Sequence, residues 1–179
     1  MPRPEFKKQN TFLDETIRVD HAGEYGAKRI YQGQIAACRN KENLALLSKM
    51  LKQEEVHLEF FTKQIEERKI RPTLLLPLWH FGGYALGFVT SLMGTKTAML
   101  CTEAVEEVID EHYSEQLVDL KNIQEEQLLR SKIEQFREEE LEHRDIAIEH
   151  GSGQAPAYRI IHMAIKSICR AAISISKRV

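Results

Sequence analysis

Two pairs of glutamate and histidine, each three residues apart, are the residues best placed to do chemistry. Glu54 and His57 form the first pair, and Glu140 and His143 form the second. In a helix, residues i and i+3 lie on the same face, one turn apart. Each pair can therefore direct a carboxylate and an imidazole to one point, as a bound metal ion requires.

A single glutamate precedes each pair at a similar distance. Glu24 lies 30 residues before Glu54, and Glu106 lies 34 residues before Glu140. The chain thus contains two copies of one unit, which consists of a helix with a single glutamate followed by a helix with Glu-x-x-His. This repetition indicates an internal duplication. Four carboxylates and two imidazoles on four helices are the ligand set of ferritin-like di-iron and di-manganese bundles. Four carboxylates also balance two divalent ions, so the buried site would be neutral.

The alternative is that these residues belong to solvated helix faces. Glutamate is abundant and the chain has seven histidines, so about one Glu-x-x-His arises by chance. The repeated arrangement favours a metal site over this alternative. The ligand types suit iron or manganese, whereas zinc usually takes fewer ligands. Iron is favoured only if the protein carries out oxygen chemistry.

Six other polar residues lie close in sequence to Glu24 or Glu106 and are further candidates. The histidines, Asp20 and Tyr113 suit hydrogen bonds to the ligands or relays of protons and electrons. The remaining two carboxylates could face the metals. For all six, packing or solvent exposure is the alternative. The six are Asp20, His21, Glu103, Asp110, His112 and Tyr113.

The elements that must position these residues are helices, and the predicted fold class is all-α. The chain has only nine glycines and five prolines, and no Asn-Gly or Asp-Gly turn joins two alternating runs. We expect a single domain, 1–179, with two pseudo-repeats, 13–70 and 97–150. The predicted helices span 13–37, 42–69 (capped by Asn40 and ended by Pro72), 97–121, 125–150 and 157–177, with a loop at 151–156.

An uncharged segment separates the two repeats, and a basic helix follows them. Residues 74–94 contain no Lys, Arg, Asp or Glu, and their length approaches that of a membrane span. Pro77 and the Gly82-Gly83 pair interrupt them, which favours a packed hairpin or an interfacial segment; a buried core helix is the alternative. The last helix, 157–177, is apolar on one side and has only basic charges, a pattern typical of helices on anionic membranes. Packing on the bundle is the competing interpretation.

The composition argues against several classes of protein. The formal net charge is −2 and the pI is about 6.4, so no overall basic field favours binding to nucleic acid. Cys38, Cys101 and Cys169 are far apart, which favours free thiols in a reducing compartment. Residues 1–10 are polar, and we expect no signal or transit peptide. Because no Rossmann or P-loop motif occurs, electrons must come from an external donor.

Six stretches of the sequence, in order along nearly the whole chain, resemble the demethoxyubiquinone hydroxylases of ubiquinone biosynthesis. They are RVDHAGEYGAKRIY (18–31), QEEVHL (53–58), RPTLLLPLW (71–79), AMLCTEAVEE (98–107), EEELEHRDIAIEHG (138–151) and APAY (155–158). The resemblance implies six iron ligands, and this sequence departs from the pattern at none of them. The implied ligands are Glu24, Glu54, His57, Glu106, Glu140 and His143. Some of the glutamates would bridge the two ions.

The resemblance also implies a fold, an activity and a location. The fold is a ferritin-like four-helix bundle with a di-iron centre, plus extra membrane-associating helices. The activity is that of a monooxygenase, which uses O2 to hydroxylate 2-polyprenyl-3-methyl-6-methoxy-1,4-benzoquinol (demethoxyubiquinol) in the penultimate step to ubiquinone. The cofactors are two iron ions, and the electrons come from NADH or another external donor. The expected location is the cytoplasmic face of a bacterial membrane or, in a eukaryote, the matrix side of the mitochondrial inner membrane.

Other functions share the same ligands. Iron storage of the ferritin type and a rubrerythrin-like peroxidase are two of them, but neither explains the uncharged segment or the basic last helix. A structural or lipid-binding helical protein without metal is a third. The sequence leaves open the length of the polyprenyl tail and the identity of the electron donor. It also leaves open the oligomeric state, with a homo-oligomer among the alternatives, and whether an accessory protein delivers the lipid.

Overall fold

The computed structural model describes the backbone of residues 4–178 and the side chains of residues 11–178. Within this range all regular secondary structure is helical, which confirms the predicted class. The polar segment 1–10, for which no targeting signal was expected, lies outside the range of described side chains. The six α-helices are α1 (Pro4–Ala37), α2 (Lys41–Arg68), α3 (Leu76–Leu92), α4 (Thr95–Leu120), α5 (Gln127–Glu149) and α6 (Tyr158–Ser176).

The helix boundaries follow local signals, with some differences from the prediction. Asn40 caps α2 as expected, because its side chain accepts hydrogen bonds from the backbone N–H groups of Glu42 and Asn43. Helix α1 begins well before residue 13. Helix α5 begins after a 3₁₀ turn at Gln124–Glu126 rather than at 125. The predicted loop at 151–156 contains another 3₁₀ turn, Ser152–Gln154.

Helices α1, α2, α4 and α5 form a bundle with an apolar layer towards each end. Ile17, Phe61, Leu120 and Phe136 come from these four helices and lie in one apolar cluster. The other cluster takes one or two residues from each of the same helices, namely Tyr31, Leu47, Met50, Met99 and Ala147. Along every helix, the predicted ligands lie between the residues of the two clusters. The candidate site therefore lies in the middle of the bundle, between the two apolar clusters.

Helix α3 packs against the outside of α1 at very close range. A Cβ atom added at Gly33 would lie 2.1 Å from the carbonyl oxygen of Tyr84, and one at Gly87 would lie 1.9 Å from that of Ile30. Only glycine allows the two backbones to approach so closely. The segment is packed, but the predicted hairpin is wrong: residues Leu76–Leu92 form one continuous helix, because Pro77 lies in its first turn, where proline is tolerated. None of the helices in the described part of the chain is long and apolar enough to cross a membrane.

Helix α6 lies against α4 and is held there by both apolar and charged contacts. Ile165 is buried in a cluster with Cys101 and Ala104. The Lys166 ammonium lies 2.6 Å from a Glu107 oxygen, and Arg170 pairs with Glu111 at 2.9 Å. Two basic residues of the last helix therefore pair with the bundle, which agrees with the competing interpretation of packing, while contact with a membrane stays a prediction.

Exposed apolar side chains line α3 and α6 on the outside of the bundle. Exposure reaches 73% at Phe81 and 70% at Ile160. The others on these two helices are Leu78, Val89, Leu92, Met163, Ile168 and Ile175. We refer to these eight residues as the outer apolar face.

Candidate metal centre

The structure brings all six predicted ligands together in the centre of the bundle. They form two groups of four, in each of which the candidate ligand atoms lie within 4.8 Å of one another. Glu54 and Glu140 belong to both groups, and all six residues are at most 1% exposed. The first group is completed by Glu24 and His57, and the second by Glu106 and His143. Two carboxylates shared between two groups are suited to a pair of ions.

The two histidines point the same ring nitrogen at the carboxylates. Nδ1 of His57 lies 3.0 Å from an oxygen of Glu140 and 3.5 Å from one of Glu24. Nδ1 of His143 lies 3.2 Å from an oxygen of Glu54 and 3.3 Å from one of Glu140. Each histidine thus contacts a glutamate of the opposite Glu-x-x-His pair. The cluster depends on packing between α2 and α5 as well as on the spacing within each helix.

Many polar atoms of the cluster lack partners within the described part of the chain, and this observation tests whether a metal fits. Both oxygens of Glu54 make no hydrogen bond, nor does one oxygen each of Glu24, Glu106 and Glu140, nor Nδ1 of His143. Buried carboxylate oxygens without partners are costly. Carboxylates and imidazoles together suit transition-metal ions such as iron and manganese. The residues therefore fit a pair of divalent ions.

The close packing of carboxyl groups perturbs their protonation. Burial, together with the charge of Glu140, raises the pKa of Glu54 and of Glu106 well above the usual range. Although burial acts in the opposite direction, the nearby imidazoles of His143 and His57 lower the pKa of Glu140 to about 2. Burial likewise opposes the charge on His57, but its hydrogen bonds to Glu140 and Glu24 raise its pKa to about 12. Without metal, Glu54 and Glu106 therefore retain their protons to a higher pH than exposed carboxyl groups do.

Two tyrosines contact the cluster in an equivalent way. The Tyr31 hydroxyl donates to a Glu106 oxygen at 2.6 Å, and the Tyr113 hydroxyl donates to Glu24. Each tyrosine lies seven residues after the single glutamate of its own helix, α1 or α4. Each donates its hydrogen bond to the single glutamate of the other of these two helices. The prediction for Tyr113 as a hydrogen-bond partner agrees with this contact. Tyr31 was missed, although the duplicated spacing pointed to it.

Among the described residues, no hydrogen bond or ion pair joins the other polar candidates to the six predicted ligands. Asp20 accepts a hydrogen bond from Gln116 at 2.6 Å and lies 3.3 Å from His112. These three residues form a group beside the ligand cluster rather than within it. His21 is buried, and its Nδ1 makes no hydrogen bond to the described residues. Asp110 pairs with Arg137 at 2.6 Å, outside the cluster.

Glu103 belongs to a separate group at the contact between α4 and α6. It accepts a hydrogen bond from Tyr158 at 2.7 Å and lies near Glu107 and His162. The Lys166 ammonium already lies on Glu107, as described above, and supplies a positive charge there. We therefore do not count this group as part of the metal centre.

Two further residues that the sequence analysis missed lie behind the histidines. Nε2 of His57 lies 2.8 Å from a Glu139 oxygen, and Nε2 of His143 lies 3.2 Å from the side-chain oxygen of Gln53. Both precede the glutamate of a Glu-x-x-His pair by one position. Acceptors behind metal-binding histidines orient the ring and select its tautomer.

A cavity of about 370 Å³ lies between α1, α3, α4 and α6. No charged side chain lines it, and its walls include Trp79, Leu86 and Ile168. Gly23 and Val105 also line it, and they are the neighbours of Glu24 and Glu106 in sequence. The cavity therefore runs from the outer helices to the backbone that carries two of the candidate ligands.

Comparison with known proteins identifies similar chains over most of the length. Residues 11–176 match the family described as ubiquinone biosynthesis protein COQ7. A 3-demethoxyubiquinol 3-hydroxylase of Rhodospirillum rubrum is 51% identical over 93% of this chain and 78% of its own. The human NADPH-dependent 3-demethoxyubiquinone 3-hydroxylase, mitochondrial, is 45% identical over 93% of this chain and 77% of its own. The 5-demethoxyubiquinone hydroxylase, mitochondrial, of Saccharomyces cerevisiae is 43% identical over 96% and 80%, respectively.

Proposed function

Because the chain belongs to the COQ7 family of ubiquinone biosynthesis proteins, we propose that it is a demethoxyubiquinol hydroxylase that uses O2 and a pair of iron ions. The observation that carries the di-iron part is the pair of four-residue groups that share Glu54 and Glu140. A peroxidase or an iron-storage protein would use similar ligands, but the uncharged cavity beside them favours an apolar substrate.

The described residues have separate roles in this reaction. Glu54 and Glu140 would hold both ions, Glu24 and His57 one of them, and Glu106 and His143 the other. When bound, the metal pair supplies the reduction of O2 and the transfer of one oxygen atom to the quinol ring. The tyrosine hydroxyls hold two of the carboxylates in place, and the apolar layers on both sides exclude water.

Iron content and product formation test this proposal directly. Glu106→Gln removes a charge and a ligand while keeping nearly the same volume, so we expect loss of iron and of hydroxylated product. His143→Ala should behave in the same way. Product is measured by mass spectrometry in cells that lack their own hydroxylase, and metal by elemental analysis. A variant that retains two irons per chain and full hydroxylation would refute the ligand assignment.

The cavity between α3 and α6 is the proposed entrance for the prenylated quinol. Its walls are uncharged and include Gly23 and Val105, the sequence neighbours of two candidate ligands, so a ring could approach the metals while the tail stays in apolar surroundings. Leu86 and Ile168 line it, whereas Ile165 is buried in the core and is unsuitable for a test. Leu86→Glu and Ile168→Glu should slow turnover of a long-tailed quinol more than that of a short-tailed analogue. Val118, 70% exposed at the far end of α4, provides the control Val118→Glu. Equal losses on both substrates would contradict the entrance.

The outer apolar face is the proposed site of contact with a membrane surface. Two of its residues, Leu78 and Ile168, line the cavity, and a lipid-tailed substrate would reach the cavity from this side. Phe81→Glu should therefore reduce co-flotation with lipid vesicles, because it puts a charge where the acyl boundary would lie. Val118→Glu again serves as the control. Unchanged flotation of Phe81→Glu would rule out this face.

The source of electrons is external in this proposal. The relatives from rat and human carry NADPH dependence in their names, and this sequence has no recognisable nucleotide-binding motif. Stopped-flow mixing of the iron-loaded protein with NADH or NADPH, with and without quinone, identifies the donor.

A further inference from the structure

The two halves of the duplicated site differ in the group behind each histidine. Gln53 and Glu139 occupy equivalent positions, each immediately before the glutamate of a Glu-x-x-His pair. Each contacts the histidine of the opposite pair, at 3.2 Å from His143 Nε2 and 2.8 Å from His57 Nε2, respectively. The same contact is therefore made by a neutral amide on one side and by a carboxylate on the other.

Several other contacts of the candidate ligands match between the two halves. Both histidines are fully buried and turn Nδ1 towards the carboxylates. Glu106 accepts a hydrogen bond from Tyr31, which lies seven residues after Glu24. Equivalently, Glu24 accepts one from Tyr113, which lies seven residues after Glu106. Among the described partners of the two histidines, the acceptor at Nε2 therefore differs in charge between the halves, whereas the partners at Nδ1 are carboxylates in both.

The two acceptors affect an imidazole differently. A histidine that binds metal through Nδ1 keeps its proton on Nε2, and both acceptors select this tautomer. A carboxylate attracts that proton more strongly than an amide, so the ring becomes a better electron donor at Nδ1. Glu139 is itself held by Gln135, whose side-chain nitrogen lies 2.8 Å from its second oxygen.

We propose that Glu139 and Gln53 are positioning residues that make the two metal ions unequal. The ion held by Glu24 and His57 binds more tightly and is the harder of the two to reduce from the ferric state. The ion held by Glu106 and His143 binds more weakly and is reduced first. This inference rests on the proposed metal pair.

Exchanging the two acceptors tests the inference with minimal change of shape. Glu139→Gln keeps an acceptor oxygen and removes the charge, so it should lower the affinity for one ion by about 10- to 100-fold and bring the two affinities together. Gln53→Glu should raise the affinity for the weaker ion. The double exchange should restore two distinct affinities. Glu142→Gln, on the same helix but half exposed and paired with Lys49, is the matched control.

Two measurements, neither of which needs turnover, report the result. Anaerobic titration of the metal-free protein with Co²⁺, followed by visible absorption, gives the two affinities. Mössbauer spectra of the diferrous protein should show two iron environments in the parent and in the double exchange, and converging ones in Glu139→Gln. Circular dichroism of each metal-free variant verifies folding, and Gln53→Glu provides an independent test if Glu139→Gln is misfolded.

The outcomes separate this inference from the proposed function. Failure of the parent to bind two ions would overturn the metal pair and the inference with it. Two ions of equal affinity in the parent, or an equal effect of Glu139→Gln on both ions, would overturn only the inference. A lower affinity for one ion in Glu139→Gln, together with a higher affinity for the weaker ion in Gln53→Glu, would support the inference.

Discussion

Replacing Glu54 by glutamine should stabilise the metal-free protein, even though the change removes a proposed ligand. Glu54 is fully buried, and neither of its carboxylate oxygens has a hydrogen-bond partner within the described part of the chain. Burial and the charge of Glu140 raise its pKa well above the ordinary value of 4.5. The folded protein therefore retains the proton on this carboxyl group to a higher pH than the unfolded chain does.

The size of the effect follows from this difference. Each pH unit above the ordinary pKa of 4.5 over which the folded state retains this proton costs about 1.4 kcal/mol. Glutamine avoids this cost because it has no proton to retain. After some loss from imperfect packing, we expect a gain of about 1–3 kcal/mol at pH 7, or roughly 3–10 °C in Tm.

The pH dependence has a definite sign. Because the folded state retains a proton on Glu54, the unfolding free energy of the metal-free parent falls as the pH rises above 4.5. His57 adds stability below its ordinary pKa of 6.5, and this is lost as the pH rises towards about 12. Glu140 adds stability above 4.5 that is lost towards about pH 2. Glu54→Gln should therefore lose about 1.4 kcal/mol less per pH unit than the parent.

Thermal unfolding in the presence of a chelator, at about pH 5 and about pH 8, measures the effect. Glu59→Gln is the control, because Glu59 is an exposed carboxylate on the same helix. Added Fe²⁺ under anaerobic conditions should reverse the ranking, since metal binding stabilises the parent and displaces its protons. If Glu54→Gln is no more stable than the parent at about pH 8, or if their pH profiles are parallel, the protonation argument is wrong.

Three further predictions concern packing and hydrogen bonds. Gly87→Ala should lower the unfolding free energy by about 1–3 kcal/mol, because its Cβ would meet the Ile30 carbonyl; Gly82→Ala, with nothing within 4 Å, should have little effect, and equal Tm values would contradict the packing. Tyr31→Phe should weaken Fe²⁺ binding about 10-fold in calorimetry, because the Glu106 carboxylate loses its donor; an unchanged affinity would mean that this contact is dispensable. Lys166→Glu should speed hydrogen exchange in α6, since it replaces the ion pair with Glu107 by repulsion; unchanged exchange would show that apolar packing alone holds the helix.

The pattern of residues predicted much of this protein because the relevant signals are local. Glutamate and histidine at i and i+3 share a helix face wherever that helix packs, and the repeat revealed that four such helices must converge. Asn40 capped α2 as expected because capping involves only neighbouring backbone groups. The helical class is confirmed and the six ligands cluster as predicted, while their binding of iron stays a prediction.

The tertiary structure decided which residues meet across helices. The contact of Tyr31 with Glu106, and those of Gln53 and Glu139 with the histidines, depend on the rotation of each helix about its axis. The cavity depends on how closely α3 approaches α1, which the glycines permit but do not dictate. The basic pattern of α6 indicated a membrane surface, yet Lys166 and Arg170 pair with α4. Sequence spacing determines which side chains share a face of one helix, and only packing determines which face of another helix they touch.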